Sequence, residues 1–205
     1  MAIRSSEQLP HSVIALGRKF RVEEQHARHV TFLALQLFDQ LQPLHGLGAP
    51  ERRLLQAAAW LHDIGQYISY KGHHKHSHYV ITHAELPGFD ERQRALIAAV
   101  ARYHRKSAPR LAHAEFAMLD KPSRACVRKL AALLRIADAF DRCHAGTVRS
   151  ISAHIAPSHV CLTLDAAGPL AADAAVLARK TQLFRDVFNY DIILSGNGRL
   201  HKDLP

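Results

Sequence analysis

The chain has 205 residues, of which 48% are hydrophobic and 22% charged, a globular composition long enough to bury a core and unlike that of a disordered segment. Its formal net charge of +9 favours anionic partners such as phosphates, nucleotides, polyphosphate, RNA or an acidic protein face. No apolar run approaches the roughly 18 residues that span a bilayer, and the first residues carry no apolar signal core. Three cysteines, Cys126, Cys143 and Cys161, lie far apart without a CxxC pair and read as free thiols in a reducing cytoplasm. A soluble, cytoplasmic protein without a membrane partner is expected.

Helical periodicity runs from about residue 12 to 141. A short helix fits SVIALGRKF, and a longer one spans about 22–41 with Val30, Leu33, Leu37 and Leu41 on one face. LHGLGAP is a loop, and Pro50 suits the first turn of a third helix through ERRLLQAAAWLHD. After a break at SYKGHH, KHSHYVITHAE reads as a short helix, LPGFD as a turn and DERQRALIAAVARYH as another helix. RKSAPRLAH is a loop and AEFAML one helical turn. PSRACVRKLAALLRIADAFDR is a long helix with Ser123 or Asp120 as its cap. Beyond Ala145 the texture changes. TVRSISAHI and HVCLTLDA are β-branched and alternating, joined by APS as a hairpin. A helix over AADAAVLARKTQLFRDVFN follows, then a strand YDIILS, with Val176, Leu177, Leu183, Phe184 and Phe188 as the helix's apolar face. The fold class is therefore mainly α: a helical bundle over 12–145, then a small α+β subdomain (strand-strand-helix-strand) over 146–197. The tail is expected to cap the core or support a homodimer, and to contribute no metal ligand.

The chemistry centres on His62-Asp63, which ends the apolar helix before Gly65. Adjacent helical residues point about 100° apart, yet these two side chains can still converge on one ion at a helix end. Imidazole nitrogen with carboxylate oxygen suits a divalent cation, with Mn, Fe, Mg, Zn and Ni all open. The pair does not stand alone among the 16 histidines. His26 lies near the middle of an apolar helix face, His76 opens a helix, His104 ends one, and Asp138 follows two apolar turns. A carboxylate entering a core is costly unless it is paired or metal-bound. Facing helices of a bundle build metal sites in this way.

The order His26 … His62-Asp63 … Asp138 resembles the H…HD…D signature of the HD superfamily of metal-dependent phosphohydrolases. The longer segments HARHVTFLALQLFDQL, LLQAAAWLHDIGQYISYKGHHKHSHYVI, LPGFDERQRALIAAVARYHRKSAP and LAALLRIADAFDR are similar to the C-terminal HD region of exopolyphosphatase/guanosine pentaphosphatase (Ppx/GppA) proteins, over about residues 20–195. The resemblance implies His26, His62, Asp63 and Asp138 as the four core ligands of one or two divalent metal ions. His76 and His104 match the additional ligands of two-metal members, with His73, His74 and His78 near enough to compete with His76. Asp141 matches a further acidic position, although a helix-surface or salt-bridge role serves it equally well. His11, His45, His113, His144, His154, His159 and His201 read as ordinary surface residues. Full-length members carry N-terminal actin-like domains with Gly-rich phosphate loops. No strand–Gly-rich loop–helix occurs in these 205 residues, so activity is expected from the HD site.

The expected reaction is metal-assisted hydrolysis of a phosphate ester, nucleotide or polyphosphate, with Asp63 as the catalytic residue that bridges ions and orients water. Lys75, Arg105 and Lys106 each abut an expected ligand and are the candidate phosphate-binding cations, with solvated basic surface as the alternative. The rival reading is a non-catalytic module that binds metal and a phosphorylated ligand and regulates a partner. Nucleic acid is not expected, because the basic residues are scattered and no aromatic-basic stacking motif occurs.

Overall fold

The computed structural model describes residues 8–168 and 174–196, which leaves position 197 at the expected end of the tail, and His201, outside the described residues. The helical part runs α1 (His11–Lys19), α2 (Glu24–Gln40), α3 (Gln42–His45), α4 (Ala49–Leu61), a 3₁₀ turn (Ile64–Tyr67), α5 (His73–His83), α6 (Glu91–Arg102), α7 (Ala114–Ala117) and α8 (Lys121–Phe140). The tail is β1 (Val148–Ile155), β2 (His159–Ala166), α9 (Ala174–Phe188) and β3 (Asp191–Gly196). This is the mainly helical architecture with a late α+β unit that the change of period announces.

Helix boundaries follow capping chemistry. Asp90 accepts from the Gln93 backbone N–H at 2.7 Å, while Gln93 Oε1 accepts from the Asp90 N–H at 3.0 Å, a reciprocal cap that starts α6. Of the two cap candidates for α8, Asp120 is the one used, accepting from the Ser123 N–H at 2.7 Å. Two short elements fall where the sequence suggests loop or helix end: α3 and the 3₁₀ turn, each of four residues, too short for any periodicity to register.

α2 is the central column, with α4, α8 and β1 packed around it, and Val30, Leu33, Leu37 and Leu41 are all buried. α5 lies on α6 and on the 3₁₀ turn, and α9 lies along α8. The buried apolar cluster is continuous from helices to sheet: Leu133 and Leu134 of α8 share it with Leu162 and Leu164 of β2 and with Leu183 and Phe184 of α9. The sheet order is β1-β2-β3. β1 and β2 form an antiparallel hairpin, with Ile151 opposite Leu164, and β2 and β3 are parallel through the α9 crossover, with Leu162 beside Leu194. On its other side β1 has no strand among the described residues. Instead, Gln36 Oε1 accepts from the Ile151 N–H at 2.7 Å, Gln40 Nε2 donates to the Ile151 carbonyl at 2.7 Å, and Gln40 Oε1 accepts from the Ala153 N–H at 2.8 Å. Two α2 side chains thus satisfy the edge in place of another strand.

His45, read as a surface residue, is a core one. Its Nε2 donates to the Phe38 carbonyl at 2.7 Å and its Nδ1 accepts from the Leu47 N–H at 2.9 Å, which locks it as a neutral ring. Burial accordingly holds its pKa below the ordinary histidine value.

Candidate metal centre

The turn after α4 is positioned by close backbone packing. A Cβ on Gly65 would lie 2.2 Å from the His73 carbonyl oxygen and 2.3 Å from the Ser77 nitrogen, so only glycine lets the 3₁₀ turn touch the α5 backbone. Ser77 Oγ seals the contact, accepting from the Gly65 N–H at 3.0 Å and donating to the His62 carbonyl at 2.7 Å. The result brings the first residue of α5, His73, against Asp63: His73 Nε2 is 3.0 Å from Asp63 Oδ1.

Three histidines around Asp63 share one design. His62 Nδ1 donates to the Ala59 carbonyl at 2.7 Å, His104 Nδ1 to the Ala101 carbonyl at 2.7 Å, and His73 Nδ1 to the Tyr70 carbonyl at 3.0 Å. A carbonyl only accepts, so each Nδ1 carries a proton and each ring turns its Nε2 inward. His62 Nε2 is 3.6 Å from Asp63 Oδ2, and His104 Nε2 is 3.5 Å from Asp63 Oδ1. The fourth ring, His26 on α2, is oriented by a carboxylate, with Nδ1 2.7 Å from Asp141 Oδ2. Asp141 also lies 3.2 Å from His29 Nδ1 and accepts from the Gly146 N–H at 2.8 Å. It orients an imidazole from behind, the arrangement that supports metal-ligating histidines.

Asp138 closes the ring from α8. Its Oδ1 lies 3.8 Å from His26 Nε2 and 3.7 Å from His62 Nε2, and its Oδ2 is paired with Lys180 of α9. Three overlapping donor sets result, His26, His62 and Asp138 on one side, His62, Asp63 and His104 on the other, and His26, Asp63 and His144 across them, each with its ligand atoms within 4.8 Å of one another. Among the described residues, His26 Nε2, His62 Nε2 and Asp63 Oδ1 are buried without a hydrogen-bond partner. Orphaned buried polar atoms are costly, and each of these three residues belongs to two of the donor sets. His73 Nε2 and His104 Nε2 also face each other at 3.4 Å, although both rings spend their proton on Nδ1. Arg105 Nη1 lies 3.2 Å from His73 Nε2 and brings a positive charge to that contact. The residues therefore fit a divalent ion, or two.

Electrostatics agree. Burial opposes a charge on His62, yet the Asp63 and Asp138 carboxylates prevail and raise its pKa to about 9. Burial and the charged His62 hold His104 well below the usual range. Burial works against ionised Asp63 and Asp138, but His62 beside the first and Lys180 beside the second keep both far below the usual carboxylate range.

The centre opens into a cleft of about 510 Å³ that Arg105, Lys106, Arg135, Arg142, Arg179 and Lys180 line with positive charge. Arg135 builds part of this wall from within. It is buried, with Nε donating to the Tyr103 carbonyl at 2.7 Å and Nη2 to the Lys106 and Ser107 carbonyls at 2.8 and 2.9 Å. It thereby fixes the loop that carries His104, Arg105 and Lys106.

His26, His62, Asp63, His104 and Asp138 come together from four segments of the helical part. His76 does not join them. It is half-buried one turn further along α5, because the helix begins at His73 directly behind Gly72 rather than at Lys75, and His73 takes the place beside Asp63. His74 and His78 also stand off. Arg105 and Lys106 line the cleft, whereas Lys75 is exposed and outside its lining. Three contributors had no readable signal. His144, read as surface, stacks on His26 with centroids 3.7 Å apart and its Nδ1 2.6 Å from Glu23 Oε2. Lys180 and Arg179 come from the tail, which supplies two cations to the cleft.

Residues 10–179 match the family model for the Ppx/GppA phosphatase domain III. Among curated relatives, the chain is 40% identical over 91 residues to a guanosine-5'-triphosphate,3'-diphosphate pyrophosphatase of Pseudoalteromonas translucida, covering 42% of this chain and 18% of that protein. It is 34% identical over 119 residues to the protein of the same name from Pseudoalteromonas atlantica, covering 58% and 23%. Against that of Aeromonas hydrophila it is 36% identical over 87 residues, covering 42% and 18%. The matched stretches span about a fifth of the length of these relatives. With the family model covering most of the chain, this protein belongs to the Ppx/GppA phosphatase domain III family.

Proposed function

We propose that the chain is an HD-type metal-dependent phosphohydrolase acting on a phosphate ester, with nucleotide polyphosphates and polyphosphate as the leading substrate class. The observation that carries this reading is the set of orphaned inward atoms, His26 Nε2, His62 Nε2 and Asp63 Oδ1, beside a cleft lined by cations. The names of the relatives support the substrate class.

His26, His62, Asp63 and Asp138 would hold the ion, with His73 and His104 completing a second position through Asp63. A divalent ion there supplies Lewis acidity toward a phosphoryl oxygen and acidifies water. The protein does the rest. Backbone carbonyls hold the Nε2 atoms of His62, His73 and His104 in place before any ligand arrives, so little reorganisation is needed. Asp63 belongs to two of the donor sets and would orient the attacking water. Gln66 Nε2 donates to Asp63 Oδ2 and restrains that carboxylate. Arg105 and Lys106 take up phosphate charge, Arg105 with the planar fork suited to phosphate oxygens. His62 gives up its proton when it serves as a ligand, so metal affinity should fall as pH drops.

The test is elemental analysis of protein purified without added metal, followed by a phosphatase screen with Mn, Mg, Fe, Co and Ni over nucleotides, alarmones and polyphosphate. Metal-dependent turnover abolished by Asp63→Asn supports the enzyme; full metal occupancy with no turnover of any compound removes it. One observation favours a regulatory metal- and phosphate-binding module instead: the family model is one domain of a longer phosphatase.

A further inference from the structure

We propose that Lys180 is a specificity-determining residue of the metal centre: its ammonium competes with a divalent cation for Asp138 and sets how tightly the centre holds its ion. The inference rests on the metal-centre reading above. Asp138 divides its two oxygens between different partners. Oδ1 faces the inward Nε2 atoms of His26 and His62, at 3.8 and 3.7 Å, and Oδ2 is bonded to Lys180. A ligand atom from each of His26, His62 and Asp138 lies within 4.8 Å of the others, so an ion held among them shares one carboxylate with the ammonium. Both side chains of the pair are only 17% exposed. Two like charges sharing one mostly buried carboxylate repel with little screening.

The opposite carboxylate shows the contrast. Asp63 is flanked by imidazoles and the neutral amide of Gln66, with no lysine or arginine bonded to it among the described residues. The two carboxylates are therefore unequal: Asp63 faces imidazoles, which can shed a proton and become ligands themselves, whereas Asp138 is paired with an ammonium. Lys180 is also anchored: it donates to the His104 carbonyl at 3.3 Å, and its helix α9 packs along α8, which bears Asp138. The ammonium is thus built into the site and is not a wandering surface group. A tie that merely fastened the tail would predict the reverse behaviour on substitution, since losing it would loosen Asp138 and weaken metal binding.

The experiment titrates the metal-stripped full chain with Mn²⁺ by calorimetry. Lys180→Met keeps the apolar stem and removes the charge; Lys180→Arg keeps the charge. Lys180→Met should bind Mn²⁺ about tenfold or more tightly than wild type, while Lys180→Arg stays near wild type. Thermal melting without metal should show Lys180→Met less stable than wild type, so that stability and metal affinity move in opposite directions. If Lys180→Met does not fold, Lys180→Gln is titrated in its place with the same expectation. Equal or weaker Mn²⁺ binding by a folded, uncharged variant overturns the role of Lys180 and leaves the metal centre standing. Absence of binding by both wild type and the uncharged variant overturns the metal centre and this inference with it.

Discussion

The two walls of the cleft are built by different means. The histidine wall is local: His62, His73 and His104 are each aimed by a carbonyl three residues earlier in the chain. The cation wall is assembled from distant parts. Arg135 reaches back to carbonyls about thirty residues away, and Arg179 and Lys180 arrive on a helix of the tail. Local geometry sets which atom each histidine offers, whereas long-range packing sets the charge those atoms meet. Ligand identity should therefore survive disturbances that erase phosphate affinity.

The largest effect tests the local wall. Asp63→Asn should abolish metal-dependent turnover and weaken metal binding by more than the ~10–100-fold typical of losing an outer partner alone. It should also lose the stabilisation that saturating metal gives wild type, about 2.7 kcal/mol at a hundredfold excess over Kd, read as a shift in melting temperature. Metal affinity equal to wild type would break the comparison, because Asp63 would then be no ligand.

Arg135→Met tests the distant wall. It leaves three loop carbonyls without their donor, and urea unfolding should show a loss of about 3 kcal/mol. A loss near zero would mean that the loop carrying His104 and Arg105 is held by other contacts.

Next in size is a two-sided pH dependence of the metal-free protein. Burial and nearby Arg102 lower the His74 pKa to about 4, against an ordinary histidine value of 6.5. Between those values the unfolded chain binds a proton that the folded protein refuses, so stability is full above about 6.5 and declines toward pH 4. His62 acts oppositely. With its folded pKa near 9, its contribution is full below about 6.5 and is lost as pH rises through 9. Melting temperature should therefore peak near pH 6.5, with His74→Gln flattening the acid arm and saturating metal removing the alkaline one. An alkaline arm that persists unchanged with metal would show that His62 keeps its proton and is not a ligand.

The smallest effect is expected at the rim. Arg179→Ala removes an exposed cation of the cleft and should weaken phosphate binding by about 1 kcal/mol, with metal content unchanged. Altered metal content in this variant would show that the two walls are not separable.

The same division explains what could be read from the sequence. Helix faces repeat within a few residues, so α2, α4, α6 and α8 show in the periodicity, and alternation reveals the β1–β2 hairpin. His26, His62, Asp63, His104 and Asp138 were legible because each ends or interrupts an apolar stretch. The choice between His73 and His76 was not, since it depends on where α5 starts, and that is decided by Gly65 packing on its backbone. Lys180 left no trace, because nothing in a solvated-looking ARKTQ segment shows that α9 lies along α8. His45 misled because a buried histidine satisfied by two backbone groups looks, in one dimension, like any loop histidine.

The glutamine pair on α2 has a consequence for assembly. Gln36 and Gln40 occupy backbone groups of Ile151 and Ala153 on β1, so among the described residues the three-stranded sheet offers the outer side of β3 to another strand. A sheet with one open side can add a second copy of itself and then has no side left. Pairing through this sheet would stop at two chains, and a fibre built by repeated strand addition is barred by two amide side chains.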